Sequence, residues 1–273
     1  MPQLVATCLD MSTWDAIQFI NERFNIEQRT IRKTKQFREY GDIDVPPNRF
    51  TLPLIKIAPF KSGKATHKYF FKRGFTEQTV KDFLIGWDRQ KKRITLPVFY
   101  QDGILAGIIG RAVYELDTEQ YEDLYGEEPK YLIYEHFPIG DVLIGAHMFS
   151  GSKTAILVEG SFDFLWMQQL GFPNTLSTII SNFTEKQRDI LFSLGVEEVV
   201  LFYDNDAAGR KACVRAYELL KPFFKVYTVT YPVLLDEEGE EHEINDPMGL
   251  SKEQIQYMLD NKRFYWKKNL VKI

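Results

Sequence analysis

Glu159 and Asp163 stand four residues apart, and Asp204 and Asp206 two apart. Each set directly follows a short apolar, β-branched run, Thr154–Val158 for the first and Glu198–Tyr203 for the second. Such runs read as buried strands. Where the chain leaves a strand still extended, alternate side chains point the same way. Asp204 and Asp206 therefore present two carboxylates to one side. Carboxylate oxygens suit a hard divalent cation such as Mg²⁺, which completes its shell with waters and substrate phosphates. A lone Asp-x-Asp has a plainer explanation, because Asp is a preferred helix N-cap and is favoured by the helix dipole. Glu159 and Asp163 at the end of a second strand move the balance toward metal chemistry. In open α/β sheets, ligands bind beyond the carboxyl ends of the strands. Asp246, in Asn245-Asp246-Pro247 after the run Lys225–Tyr231, is a candidate further member, although alone it is an ordinary turn signal.

The elements that must position these acids alternate from residue 151 onward. A strand at Thr154–Val158 leads to a helix at Ser161–Leu170, ended by Gly171. A β-branched run at Thr175–Ile180 is followed by a helix at Thr184–Leu194, capped by Thr184. The strand Glu198–Tyr203, the helix Ala207–Leu220 and the strand Lys225–Tyr231 come next, and a last helix at Ser251–Asn261 follows an acidic insertion at Asp236–Glu243. Short connections between alternating strands and helices predict a parallel sheet with helices on its faces.

Upstream the pattern differs. A short helix from His67 to Arg73 ends at Gly74, and Thr76 caps a second helix carrying Val80, Phe83 and Leu84. Tyr69, Phe70 and Phe71 are expected in its core rather than as stacking platforms for bases. Ile94–Tyr100 and Ile104–Ile109 flank Gln101-Asp102-Gly103, a hairpin signal, and Tyr131–Tyr134 is a further short strand. Residues 12–28 read as a helix, and residues 41–63 as a Pro- and Gly-containing linker. The expected organisation is an N-terminal helical and linker region over 1–62, a basic α+β subdomain over 63–150, the parallel-sheet domain over 151–235, and a C-terminal unit over 236–273. The fold class is thus α/β, with an α+β subdomain ahead of the sheet.

Composition bounds the function. The 273 residues carry a net charge of -4, divided between +8 in residues 1–100 and -12 in the rest. A basic front and an acidic rear fit a polyanion surface beside a carboxylate site, and equally two solvated faces of unlike composition. No apolar run reaches the length of a membrane span, and no secretory signal is visible. Cys8 and Cys213 are the only cysteines, too few for a four-thiolate zinc site or a disulfide framework. A reduced, cytoplasmic protein is expected. The four histidines have no ligand-like spacing.

Taken with their neighbours, these residues resemble a known family. Glu159-Gly160-Ser161-Phe162-Asp163, Tyr203-Asp204-Asn205-Asp206-Ala207-Ala208-Gly209-Arg210 and Asn245-Asp246-Pro247 are similar to the three acidic motifs of the Toprim domain, in the form found in bacterial and phage DnaG-type DNA primases. Upstream, Arg73-Gly74-Phe75-Thr76, Arg93-Ile94-Thr95-Leu96-Pro97-Val98, Ile108-Ile109-Gly110-Arg111 and Pro129-Lys130-Tyr131-Leu132 are similar to the basic core of the same family, in family order. The resemblance covers roughly residues 65–250. It implies synthesis of RNA primers from nucleoside triphosphates on single-stranded DNA with Mg²⁺ or Mn²⁺. It assigns Glu159, Asp204 and Asp206 to catalysis and to metal holding, Asp246 to metal holding, Asp163 to a supporting place, and Arg73, Arg111 and Lys130 to nucleotide or template. Glu159 is either the general base or a metal organiser. Each of the three cations, taken alone, most often means a solvated surface residue.

The chain departs from the family pattern in four places. No Cys/His zinc ribbon is present, so no zinc is expected, and template selection is expected either to call on a zinc-domain protein in trans or to be relaxed. Ile180 stands where the family often has Gly, Met248 where it commonly has an acid, and no basic residue lies near Ile139. No long C-terminal helicase-binding domain is expected from this sequence, and a replicative helicase is a further expected partner. The expectation is a catalytic core, of phage type, that binds template and the RNA–DNA hybrid product and has no membrane attachment. Two alternatives stay open: a Toprim nuclease, in which the same acids activate water, and a decayed homologue that only binds DNA or helicase.

Overall fold

The computed structural model of the protein describes residues 68–88, 90–113, 129–134, 138–179, 182–235 and 241–265. The helix expected over 12–28, the linker over 41–63, Cys8 and Ile180 lie outside them.

Two short helices open the described chain, α1 at Lys68–Lys72 and α2 at Glu77–Asp82. Thr76 caps α2 as expected, accepting the Thr79 backbone N–H at 3.2 Å. An antiparallel sheet follows, with β1 (Gly86–Asp88), β2 (Arg93–Phe99), β3 (Leu105–Ala112) and β4 (Tyr131–Ile133) side by side in that order. The expected hairpin is β2–β3. Its turn is closed by the Asp102 carboxylate, which accepts the Ile104 N–H at 3.1 Å, and Gly103 takes the left-handed conformation at φ +82°. Every residue of β2 from Arg93 to Val98 is buried, which explains its continuous apolar pattern. Arg93 is the exception in kind. It is 0% exposed and lies across the sheet, donating to the Lys130 carbonyl at 3.2 Å and the Gly110 carbonyl at 3.5 Å. A Cβ at Gly110 would sit 2.8 Å from the Tyr134 ring and 3.1 Å from the Arg93 side chain, so this position has no room for a larger residue.

The second sheet has the order β11-β8-β7-β5-β6. Strands β5 (Thr154–Val158), β6 (Thr175–Ser177), β7 (Glu198–Leu201) and β8 (Lys225–Thr228) run parallel, as their βαβ spacing predicts. The short edge strand β11 (Arg263–Phe264) is antiparallel to β8. Side chains alternate across this sheet. Ile156, Val158, Val200 and Phe202 face α3 (Ser161–Gln169) and α6 (Lys252–Asp260), in one continuous core with the antiparallel sheet. Ala155, Leu157, Val199 and Leu201 face α4 (Glu185–Ser193) and α5 (Ala207–Leu220). The parallel sheet is thus covered on both faces, and the basic subdomain docks on the α3 side through Phe70, Phe75, Phe162 and Trp166 in edge-to-face contact.

Capping follows the sequence closely. Thr184 with Gln187 and Ser251 with Gln254 form reciprocal capping boxes at α4 and α6. The acidic insertion is flanked by a small hairpin that its composition did not announce, β9 (Val233–Leu235) with β10 (Glu241–Glu243). Among the described residues no helix is long and apolar enough to cross a membrane.

Candidate active site

Strand β5 ends at Val158 and delivers Glu159 to the carboxyl edge of the parallel sheet. The Glu159 carbonyl is held by the Ser177 hydroxyl of the neighbouring strand at 2.9 Å. Gly160 then turns the chain into α3. A Cβ there would lie 2.2 Å from the Asp163 carboxylate, so glycine is what lets this acid fold back beneath the first turn. Asp163 is buried at 8% exposure and accepts a hydrogen bond from the Gly160 backbone.

Strand β7 delivers the second set. Phe202 and Tyr203 continue extended past the last paired residue, with the Phe202 N–H on the Leu157 carbonyl at 2.8 Å. The Asp204 N–H donates to the Glu159 carboxylate at 3.3 Å, which joins the two acidic motifs. Asp206 caps α5, its carboxylate accepting the Gly209 N–H at 2.7 Å. The plain reading of Asp206 as a helix cap is therefore correct as far as it goes. Its charge nonetheless reaches Glu159, raising the latter's pKa. Gly209 packs directly beneath the site: a Cβ on it would stand 2.1 Å from the Asp204 carbonyl oxygen and 2.8 Å from the Glu159 carboxylate.

The third set is tied in by backbone. The Asn205 N–H donates to the Asn245 carbonyl at 2.7 Å, placing Asp246 beside the first two motifs. Asp246 opens a short 3₁₀ turn at Pro247–Gly249, which α3 steadies through the Trp166 indole N–H on the Leu250 carbonyl at 3.2 Å.

The electrostatics record the crowding. The Asp204 carboxyl is pushed up to about 8, by burial first and then by the charges of Asp163, Glu159, Asp246 and Asp206. Asp163 is pushed up to about 7 by burial and by Asp246, against the pull of Arg111. Glu159 is raised chiefly by burial. The three cations complete the picture. Burial holds the Lys130 ammonium below its ordinary pKa, and Arg111 and Arg73 lower it further, while Asp163 and Asp246 favour its charge. Arg73, exposed just past the end of α1, reaches Met248 next to the third motif, with Nη2 3.5 Å from the sulfur. All eight residues expected at the site are thus gathered along one sheet edge and the face of the basic subdomain.

Carboxylate oxygens from Glu159, Asp204, Asp206 and Asp246 are the donors a divalent cation would take here. As the side chains stand, no three His, Cys, Asp or Glu residues among the described ones form a ready chelate. One oxygen of Asp204 is nevertheless buried without any hydrogen-bond partner, a state that a bound cation relieves. The donor set therefore fits such an ion.

Two aromatic hydroxyls belong to the site and were not singled out by sequence. The Tyr231 hydroxyl is buried without a partner, and burial together with the charge of Asp204 and the other acids holds its pKa well above the ordinary value. Tyr131 hydrogen-bonds both Arg111 and Ser161. Both are apolar-looking strand residues in the sequence, and only the pairing of distant segments reveals where their hydroxyls lie.

The chain is similar in sequence and in fold to known proteins. A Toprim-like family profile matches residues 156–244. The DNA primase of Rickettsia prowazekii is 30% identical over 186 residues, 56% of this chain and 31% of that protein. The chain thus spans about a third of that curated relative. The Aquifex aeolicus primase, in a crystal structure of its zinc-binding and RNA polymerase domains, superposes with a TM-score of 0.62 at 19% identity, covering 98% of this chain and 71% of that one. A DnaG primase catalytic domain bound to single-stranded DNA superposes with a TM-score of 0.56 at 20% identity, covering 73% and 72%. Over part of its length the chain is similar in sequence to curated DNA primases, and it has the fold of the DnaG primase catalytic core.

Proposed function

We propose that this chain is a primase catalytic core that joins ribonucleoside triphosphates into short RNA primers on a single-stranded DNA template. The observation that carries the reading is the meeting of five carboxylates with three cations along one sheet edge. Glu159, Asp163, Asp204, Asp206 and Asp246 come from three separated motifs, and Arg73, Arg111 and Lys130 from the neighbouring subdomain. A structural role alone does not call for this many like charges at one place, because each one raises the cost of ionising the next. The primase relatives and the DNA-bound catalytic domain of the same fold support the same reading.

Phosphodiester formation needs a 3′-hydroxyl placed in line with an α-phosphate, and charge neutralised on the departing pyrophosphate. Glu159, Asp204, Asp206 and Asp246 would hold Mg²⁺ or Mn²⁺, which when bound supplies charge neutralisation and lowers the pKa of the attacking hydroxyl. Arg73, Arg111 and Lys130 face the triphosphate and template phosphates, the arginines through forked N–H donors that match phosphate oxygens. Glu159, with its carboxyl raised by burial, accepts the hydroxyl proton or orders the group that does. The aromatic packing of the basic subdomain against α3 keeps cations and carboxylates in fixed register.

Incubating the chain with labelled nucleoside triphosphates, Mg²⁺ or Mn²⁺ and mixed single-stranded DNA tests this. Short labelled RNAs are the expected product. Degradation of the DNA without triphosphates, and no RNA, would replace the reading with that of a Toprim nuclease.

A further inference from the structure

Arg111 is a buried cation at 6% exposure that forms no ion pair with a described carboxylate, and its Nε–H has no protein partner. A charge taken out of water without an opposite charge is costly. Its guanidinium is instead held by neutral groups. It hydrogen-bonds the Tyr131 and Tyr69 hydroxyls, and it lies over the Phe162 ring at 4.4 Å. Burial works against the charge of this guanidinium, and its contacts with Tyr131 and Tyr69 work in favour of it.

The Tyr131 hydroxyl does more than touch Arg111. It also hydrogen-bonds the side chain of Ser161, the buried first residue of α3, two positions after Glu159. One phenol oxygen on β4 therefore links the cation of β3 in the antiparallel sheet to the start of the helix behind the first acidic motif. A guanidinium recognises phosphate through a planar fork whose orientation decides whether one or two N–H groups engage. Phe162 restrains the plane of that fork, and among the described residues the hydroxyls restrain its rotation within the plane.

We propose that Tyr131 is a positioning residue for nucleotide binding: its hydroxyl, braced by Ser161, fixes Arg111 so that a triphosphate becomes the ion-pair partner that no described carboxylate supplies. This rests on reading the site as one that takes nucleoside triphosphates.

The test is a double-mutant cycle on ATP affinity, measured at equilibrium with Mg²⁺, alongside primer synthesis. Tyr131→Phe keeps the ring and removes only the oxygen. Its dissociation constant for ATP is expected to rise about tenfold, the scale of one hydrogen bond to a charged group. The apparent KM should rise with it while kcat changes less than about twofold, a split that a general loss of structure does not produce. Arg111→Lys should weaken binding by itself, and the two changes together should cost little more than Arg111→Lys alone, since the hydroxyl acts through the guanidinium. Ser161→Ala, which leaves Tyr131 in place, should show a smaller effect in the same direction and carries the test if Tyr131→Phe fails to fold. Unchanged ATP affinity in Tyr131→Phe or, should that variant not fold, in Ser161→Ala overturns the proposal, as do independent, multiplying losses in the cycle or a wild type that binds no ATP. A wild type that binds ATP with the expected coupling but makes no RNA would sink the primase reading and leave this one standing.

Discussion

The backbone N–H of Asp204 donates to the carboxylate of Glu159 across 3.3 Å, so the end of one strand supplies a hydrogen bond to the acid at the end of its neighbour. The bond favours ionised Glu159, yet burial still raises its pKa. Asp204 has the opposite problem, with one carboxylate oxygen buried and unpartnered and four other acids around it. A site built this way gathers repulsion that a divalent cation, if bound as proposed, would relieve.

Burial, with that repulsion added to it, gives a pH signature in the cation-free protein. Asp204 and Asp163 have folded-state pKa values of about 8 and about 7, above those of the unfolded chain. The native state then holds protons that the unfolded state has lost, so stability falls as pH rises from about 4 toward 8 and levels off above that. Asp204→Asn removes the largest part of this loss. Its melting temperature should exceed that of the wild type by a few degrees at pH 8, on a scale of about 2–4 °C per kcal/mol, and match it near pH 4. Mn²⁺ should raise the wild-type value at pH 8 more than that of the variant. Parallel melting curves over this range check the claim, and a variant gain that is the same at both pH values would contradict it.

Asp206 has two roles that substitution separates. As the N-cap of α5 it accepts the Gly209 N–H, and Asn does this as well as Asp. Asp206→Ala should therefore lower stability by about 1 kcal/mol, while Asp206→Asn should leave it nearly unchanged. Both should cut primer synthesis by roughly 100-fold, the usual scale for a removed transition-state charge partner. Full activity in Asp206→Asn would reduce this residue to its cap.

Gly209→Ala sets helix propensity against packing. In an open helix the change is worth about 1 kcal/mol in favour of Ala. Here the new methyl would meet the Asp204 carbonyl oxygen at 2.1 Å, a backbone atom that cannot swing away. The expected result is a lowered melting temperature together with lost activity, because Asp204 and Glu159 are the groups displaced. A melting temperature at or above the wild-type value would show that the backbone relaxes and that the close approach has no role.

These residues also show how far a sequence carries. Glu159, Asp204 and Asp206 were legible because each follows a β-branched run whose local pattern alone implies a strand. The caps at Thr76 and Thr184 were legible for the same reason, since a cap and its partner lie within one turn. The strand pairs β9–β10 and β11–β8 were not, because their few residues owe their conformation to a partner strand rather than to their own propensity. Nor was the depth of Asp163, which depends on Gly160 having no side chain. The burial of Arg93 was not legible either, because it depends on the carbonyls of Gly110 in β3 and of Lys130 just ahead of β4, which accept its hydrogen bonds. Tyr131 looks like a strand aromatic until Arg111 and Ser161 converge on its hydroxyl.

The central claim is templated synthesis by this carboxylate edge, and the most direct test compares wild type with Asp204→Asn on single-stranded DNA of known sequence, with labelled nucleoside triphosphates and Mn²⁺. Wild type is expected to yield short RNAs complementary to the template, and the folded variant at least roughly 100-fold less. Equal product from both, or wild-type product whose sequence ignores the template, would contradict the account.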